Sequence, residues 1–237
     1  MINIDTVYQK VLALANKEQR GYITPQEFNL LANQAQMVIF DQYFYDLEKF
    51  DNDYGNETEY SDMVKTLNEK LSIFKKFDTA LVKNGSFFEY PADMYKLGTL
   101  YYAPTALLED GVEIEEIYYD QLLDYYNSPL TKPNKSRPLY IRREEGIRII
   151  SASAISSGVL ATYVRKPDKV NWGYVITLGE PMYNASAAVD FELHPSEETL
   201  LVIKILEMAG ITLNKPGLSQ LAAQEENEMI AQQKIKQ

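Results

Sequence analysis

Residues 23–28, which read Ile23-Thr24-Pro25-Gln26-Glu27-Phe28, contain the clearest helix start in this chain. Thr24 supplies an N-cap oxygen, and Pro25 fits the first helical position because no N–H donor is needed there. Glu27 completes a capping box, and the flanking isoleucine and phenylalanine hold the positions of a hydrophobic staple. Apolar residues then recur at helical spacing to about residue 50. The stretch therefore predicts a long helix at the centre of a helical N-terminal third.

Further amphipathic helices are predicted on both sides of this stretch. Apolar residues at helical spacing cover residues 3–16, and a second run of this kind covers residues 60–81. Two amphipathic helices in succession predict an antiparallel pair. Near the C-terminus, Pro195 opens an almost entirely apolar helix, which Gly210 is expected to end.

Between these helices the sequence changes to short β-type runs separated by proline and glycine. The predicted strands are Ser86–Tyr90, Gly98–Ala103, Val112–Tyr118, Leu139–Arg143, Ile147–Ser151, Val159–Arg165 and Gly173–Leu178, with a short helix at Tyr119–Tyr126. The pattern indicates an α+β fold with long N-terminal helices, a β-rich insert, a closing C-terminal helix and an extended tail. The predicted parts are a helical region at 1–84, the β-rich insert at 85–193, a closing helix at 194–215 that packs on the helical region, and a C-terminal arm at 216–237.

The composition excludes several kinds of chemistry. The 237 residues include no cysteine and a single histidine, His194, so disulfides, thiol catalysis and multi-histidine zinc sites are excluded. No phosphate-binding loop, dinucleotide-binding motif or nucleophile elbow is present. His194 precedes Pro195 and an acidic helix turn, which favours a capping or surface role over that of a catalytic base. We therefore expect no enzyme activity, no catalytic residues and no cofactor.

The net charge of −11 argues against a protein that coats nucleic acid, because such a protein presents a basic face. The longest apolar runs are only a few residues, so no contact with a membrane is expected.

An acidic loop between the second and third helices has the oxygen-ligand types of a calcium-binding loop. Asp51, Asp53 and Asp62 match positions 1, 3 and 12 of an EF-hand loop. However, Gly55 stands one position before the place where that loop requires glycine, and the last ligand is Asp where a bidentate Glu is usual. A solvated loop is the better interpretation, and no metal site is expected.

Opposite charges are concentrated in two runs of the β-rich insert. Residues 109–124 contain seven acidic side chains and no basic one, whereas residues 132–148 contain six basic ones. Separate acidic and basic patches would suit head-to-tail association, although two solvated faces explain the runs equally well. The 18 tyrosines favour an interface, because tyrosine combines apolar area with a polar tip. The basic residues are Lys132, Lys135, Arg137, Arg142, Arg143 and Arg148, followed by Arg165, Lys166 and Lys169.

Several parts of the sequence follow the order of motifs of one known family. They are residues 11–29 with Ala32, Ala35, Gln36 and Phe40, then Leu130–Pro133, Pro138–Tyr140, Tyr163–Pro167 and Trp172, and finally Phe191–Leu193 with the helix at 197–209, Gly210 and Ile211. In this order they resemble virion structural proteins of tailed bacteriophages, notably crAss-like podoviruses. The resemblance spans most of the chain, and its motifs are structural spacings rather than reactive residues.

This resemblance implies a structural subunit of the head-to-tail connector, an adaptor ring docked under the portal protein. By the same resemblance, about twelve copies would surround the DNA channel, next to other neck or tail ring proteins, and DNA would pass through the lumen without specific binding. Residues 216–237 would form the arm that grips the portal and would order on binding. The implied location is the virion, after assembly in the host cytoplasm.

Two other interpretations stay open. Another neck or tail ring, or a minor capsid-associated protein, fits the same resemblance. A glycan-binding module of a tail fibre or surface protein would use exposed tyrosines and an exposed Trp172, although it leaves the long N-terminal helices unexplained.

Overall fold

A computed structural model shows a mixed α+β chain with 39% helix and 31% strand, which confirms the predicted fold class. It describes residues 1–17, 23–52, 58–104 and 111–212. The helices are α1 (Ile4–Lys17), α2 (Pro25–Asn52), α3 (Thr58–Ser72), α4 (Leu122–Asn127) and α5 (Glu198–Thr212). The strands are β1 (Lys75–Ala80), β2 (Lys83–Asn84), β3 (Phe87–Phe88), β4 (Met94–Tyr102), β5 (Val112–Glu116), β6 (Leu139–Arg143), β7 (Gly146–Ile150), β8 (Val159–Arg165), β9 (Tyr174–Thr177) and β10 (Glu180–Tyr183).

The chain divides into two compact units. Met1–Ile73 together with Pro167–Gln237 form the first, which we call the helical unit, and Phe74–Lys166 form the second, which we call the sheet unit. The sequence placed the β-rich insert at 85–193. In the structure the sheet unit begins earlier, at Phe74, and ends earlier, at Lys166. The residues from Pro167 onward belong to the helical unit.

In the helical unit, α2 begins where the capping box predicts. The Thr24 amide donates to the Glu27 carboxylate at 2.9 Å, and the Glu27 amide donates to the Thr24 hydroxyl at 3.3 Å. Ile23 and Phe28, the two staple residues, are both buried. Helix α5 packs against α1 and α2, and α2 also packs against α3. The core of this unit includes Ile4, Val7, Phe28, Ile39, Phe40, Leu201 and Ile205.

The start of α5 confirms the capping role of the histidine, whereas its end differs from the prediction. The His194 ring nitrogen accepts from the Ser196 amide at 3.3 Å, at the head of a single 3-10 turn that leads into α5. Gly210 was expected to end the helix, but α5 continues to Thr212. Gly210 is buried, and packing of this apolar helix outweighs the cost of about 1 kcal/mol for a glycine inside it.

The sheet unit is a curled eight-stranded sheet in the order β1-β8-β4-β5-β6-β7-β3-β2. Its neighbours pair antiparallel except β5 and β6, which are parallel. A parallel pair needs a crossover connection, and α4 lies within it. Buried side chains on the sheet include Phe88, Leu100, Ile114, Leu139, Ile147 and Val159.

The predicted helix over residues 60–81 is wrong beyond Ser72, because β1 follows it directly. Phe74 and Leu81 fit the helical spacing, and both are buried, but in the sheet unit. Strand β1 pairs with β8, and the paired residues lie 80 to 89 positions apart along the chain. Local periodicity contains no information about that partner. The apolar spacing of residues 73–81 therefore predicts helix where the chain forms a strand.

Candidate interaction surface

Strands β9 and β10 form a two-stranded antiparallel hairpin that belongs to the helical unit. Tyr174 lies opposite Tyr183, and Thr177 lies opposite Glu180. The two loop residues, Leu178 and Gly179, have φ values of 56° and 89°. Positive φ at both positions is the geometry of a type I′ turn. The sequence predicted the first strand but not its partner, because Pro181 is unusual inside a strand.

The base of the hairpin packs on a buried indole. Trp172 is 3% exposed, and its ring lies 4.3 Å from Tyr8, 5.9 Å from Tyr174 and 5.7 Å from Tyr183, measured between ring centroids. Its N–H donates to the Asp5 carboxylate at 2.9 Å. Both strands of the hairpin are therefore held against the N-terminal helix α1. The glycan-binding alternative uses an exposed Trp172, and the burial of this ring contradicts that part of it.

A row of amide side chains on α2 fixes the segment that leads into the hairpin, residues 168–172. Asn33 donates to the Val170 carbonyl at 2.9 Å and accepts from the Val170 amide at 3.0 Å, as a neighbouring strand would. Asn29 and Gln36 bind the two ends of the same segment at 2.7 and 2.8 Å. This role was not predicted from the sequence, although the spacing of these amides by four and three residues along a predicted helix was a visible signal.

The segment that leaves the hairpin, residues 184–189, is fixed as closely as the segment that enters it. The Asn184 amide donates to the Gly173 carbonyl at 2.8 Å. A Cβ on Gly173 would lie 2.6 Å from the carbonyl carbon of Ala187, so only glycine fits there. Further along, Asn171 and Val189 form an antiparallel bridge. The hairpin base is thus a closely packed, hydrogen-bonded structure.

The tip of the hairpin, by contrast, consists of exposed aliphatic side chains. The exposed fractions are 52% for Val175, 68% for Ile176, 101% for Leu178 and 58% for Met182. Gly, Asn or Asp usually occupies the first position of a type I′ turn, whereas a leucine there is strained. Asp78 is the other non-glycine residue with positive φ in the described chain. It lies at an irregularity of β1, and aspartate tolerates this conformation better than leucine does. Strain combined with exposed apolar area is typical of a contact surface.

Two acidic side chains of the first charged run pair with two basic side chains of the second run in the sheet unit. Because β5 and β6 are neighbours, the Glu116 carboxylate pairs with Arg142 at 2.6 Å and accepts from the Tyr140 hydroxyl at 2.9 Å. Arg137 lies 3.6 Å from Glu115 in the same way. These four charges therefore do not contribute to separate acidic and basic patches. They neutralise one another beside an open cleft of about 480 Å³.

The tyrosine of this cluster titrates unusually. Burial raises the pKa of Tyr140 to about 12, and the neighbouring Glu116 carboxylate adds to the shift, while Arg142 opposes it. The Tyr140 side chain is 3% exposed and keeps its proton throughout the physiological range. The cluster is therefore a set of satisfied structural contacts.

The remaining candidate residues are placed as follows. The arm at 216–237, Asp53, Glu109 and Asp110 lie outside the described residues, as do the side chains of Asp51 and Asp62. Among the residues that the structure describes, no three His, Asp or Glu side chains are grouped so as to hold a metal ion. None of the helices in the described ranges is long and apolar enough to span a membrane.

Comparison with models of protein families finds no match for this chain, and comparison with curated proteins finds none either.

Proposed function

We propose that this chain is a non-enzymatic structural subunit of a bacteriophage head-to-tail connector, which assembles as a ring docked to the portal and forms part of the DNA ejection channel. The resemblance of its motif order to virion proteins of crAss-like podoviruses motivates the proposal. Another neck or tail ring, or a minor capsid-associated protein, is the alternative within the same class.

The observation that carries the proposal is the hairpin. Its base is fixed by Trp172 and by the amides of α2, while its tip exposes Ile176 and Leu178 to water. A monomer gains nothing from holding such a tip firmly in water, whereas a subunit of an assembly gains the free energy of covering it. A fixed apolar tip is therefore a feature of an assembling protein.

The acidic composition is compatible with the proposed channel. A net charge of −11 repels DNA phosphates, so DNA can pass without sticking. The two charged runs are not part of the support, because the pairs Glu115–Arg137 and Glu116–Arg142 are satisfied within one chain.

Immunogold electron microscopy on particles from the source lysate tests the proposal. An antibody against the purified chain should label one vertex of the particle, at the neck, and the same antibody pre-absorbed with the chain should label nothing. Label along distal fibres would favour the glycan-binding alternative. Absence of label from both intact and osmotically disrupted particles would refute a virion role.

Deletion of residues 217–237 tests the proposed arm separately. The truncated chain should lose binding to the portal protein, while a chain with scrambled order in the same residues controls for length and charge. Unchanged binding of the truncated chain would show that the arm assignment is wrong and would leave the ring proposal standing.

A further inference from the structure

The strand edges of this chain differ in their protection against pairing with another chain. An edge strand exposes unpaired N–H and C=O groups, and proteins guard such edges with lysine, proline, irregular register or very short strands. In the eight-stranded sheet, β1 forms one edge and carries Lys75, Lys76 and an irregularity of register. Strand β2 forms the other edge and is only two residues long. Both edges of that sheet are therefore protected.

The β9–β10 hairpin has one protected and one unprotected edge. The Gly173 carbonyl accepts from the Asn184 amide at 2.8 Å, and bonded and non-bonded pairs alternate along an antiparallel ladder. Ile176 and Pro181 are therefore a non-bonded pair, and their backbone groups point outward. Pro181 has no N–H to offer at the β10 edge, whereas Ile176 offers both an N–H and a C=O at the β9 edge.

The β9 edge has none of the usual protective features. Its sequence, Tyr174-Val175-Ile176-Thr177, contains no charged residue and no proline, and its register with β10 is regular. No residue in the described ranges bonds the outward backbone groups of Tyr174 or Ile176. Val175 and Ile176 point to opposite faces of the hairpin, and both are more than half exposed. A strand added at this edge would therefore cover apolar side chains on both faces.

A second copy of β9 fits this edge in one register. Two-fold pairing centred on Val175 sets Tyr174 of each copy opposite Ile176 of the other, so that the outward groups of both residues are bonded. Aromatic and β-branched side chains facing one another across strands are favourable pairs. A register centred on Ile176 would instead set Tyr174 opposite Leu178, which lies in the turn. Because β9 is uncharged, two chains with a net charge of −11 can meet there without opposing charges of the same sign.

We propose that two copies of this chain pair through their β9 edges, with Val175 opposite Val175, and so join their hairpins into one antiparallel sheet. Such a contact is isologous and joins only two copies. It therefore goes beyond the proposed ring and belongs to the chain before ring assembly. A four-residue edge is smaller than the interfaces of roughly 1,000 Å² that hold stable dimers, so the association is weak and reversible.

Disulfide trapping tests this pairing, because the chain contains no cysteine. Val175→Cys places two thiols at a non-bonded pair, where facing Cα atoms lie about 4.5 Å apart and a disulfide can form. Thr177→Cys is the matched control. It lies on the same face of the same strand and is exposed, but in this register its two copies are about 13 Å apart along the strands. Each variant is incubated in a glutathione redox buffer over a range of protein concentrations, and disulfide dimers are measured on non-reducing gels.

Val175→Cys should give about tenfold or more the dimer yield of Thr177→Cys, because pairing raises the effective concentration of the two thiols. Adding Ile176→Pro to the Val175→Cys chain should lower the yield to the control level. This change removes the outward donor and, like Pro181 opposite, leaves the ladder of the hairpin intact. Ile176→Lys keeps an ordinary strand backbone and should act in the same direction by charging the edge.

Circular dichroism checks that each variant keeps the fold. Equal yields for the two cysteines, no dimer at any concentration, or a Val175→Cys yield that neither change at Ile176 lowers would overturn the proposed pairing.

The result is separable from the proposed function. Label at the neck of the particle without a Val175→Cys dimer would keep the connector and remove this pairing. A specific Val175→Cys dimer without label on any particle would keep the pairing and remove the connector.

Discussion

Surface side chains are paired with one another on the β5–β6 face of the sheet unit. On the β9–β10 hairpin of the helical unit they are exposed and uncovered. On the first, Glu116 is satisfied by Arg142 and Tyr140 within the same chain. On the second, Leu178 is fully exposed and occupies a backbone conformation that leucine rarely adopts. The charged residues form the more conspicuous pattern in the sequence. The aliphatic turn, however, is the surface whose burial would still be favourable in free energy. Exposure and strain in the folded chain therefore support the proposal of an interface at the hairpin, whereas the paired charges give it no support.

The largest expected effect comes from breaking the base of the hairpin. Trp172→Ala removes the ring contacts with Tyr8, Tyr174 and Tyr183 and should lower the free energy of unfolding by about 3–5 kcal/mol in urea titrations. Hydrogen exchange over residues 174–183 should accelerate. Trp172→Phe, which keeps a ring but loses the bond to Asp5, should cost clearly less. A loss below about 1 kcal/mol for the alanine variant would contradict a base held by this residue.

The amide row on α2 should have the next largest effect. Asn33→Ala leaves both backbone groups of Val170 without their partner, so the free energy of unfolding should fall by about 2–3 kcal/mol. Gln34→Ala, one residue away and exposed, should change it by less than about 0.5 kcal/mol. Thermal or urea unfolding of the two variants side by side measures the difference, and equal values would show that the row does not anchor the segment.

The alkaline titration of Tyr140 tests the environment of this residue on the β5–β6 face. The pKa of Tyr140 is raised from 10.0 to about 12, so its folded form keeps the proton to higher pH than the unfolded chain does. This contribution to stability is fully present below pH 10 and is lost as pH rises through 12, with a total of about 3 kcal/mol. Tyr140→Phe should therefore flatten the decline of unfolding free energy between pH 10 and 12, as measured by urea titration at each pH. Parallel curves for the two proteins would show that Tyr140 is not the responsible group.

The smallest expected effect is a gain in stability at the tip. Leu178→Asn places a residue that tolerates positive φ at the first turn position and should raise the free energy of unfolding by about 0.5–1 kcal/mol. Val175→Asn, equally polar but on an ordinary strand position, should give no gain. If Leu178→Asn destabilised the chain as much as Val175→Asn does, the strain argument would fail.

The sequence by itself determined the elements whose signals are local. The capping box at Thr24 and Glu27 located the start of α2, His194 was recognised as a cap, and strands β6 and β8 were predicted with their observed bounds. These succeed because caps, helical periodicity and β-branched runs act over a few residues. The mixed α+β class follows from their order along the chain.

Tertiary structure alone decided which of those elements meet. Strand β1 replaces the end of a predicted helix because β8 supplies its hydrogen bonds, and Glu116 pairs with Arg142 because β5 and β6 became neighbours. Burial of Trp172 and exposure of Leu178 likewise depend on contacts made across long separations in sequence. Periodicity indicates which residues are expected to be buried but not which element packs against them. The exposed hairpin tip is therefore recognised only in the folded chain.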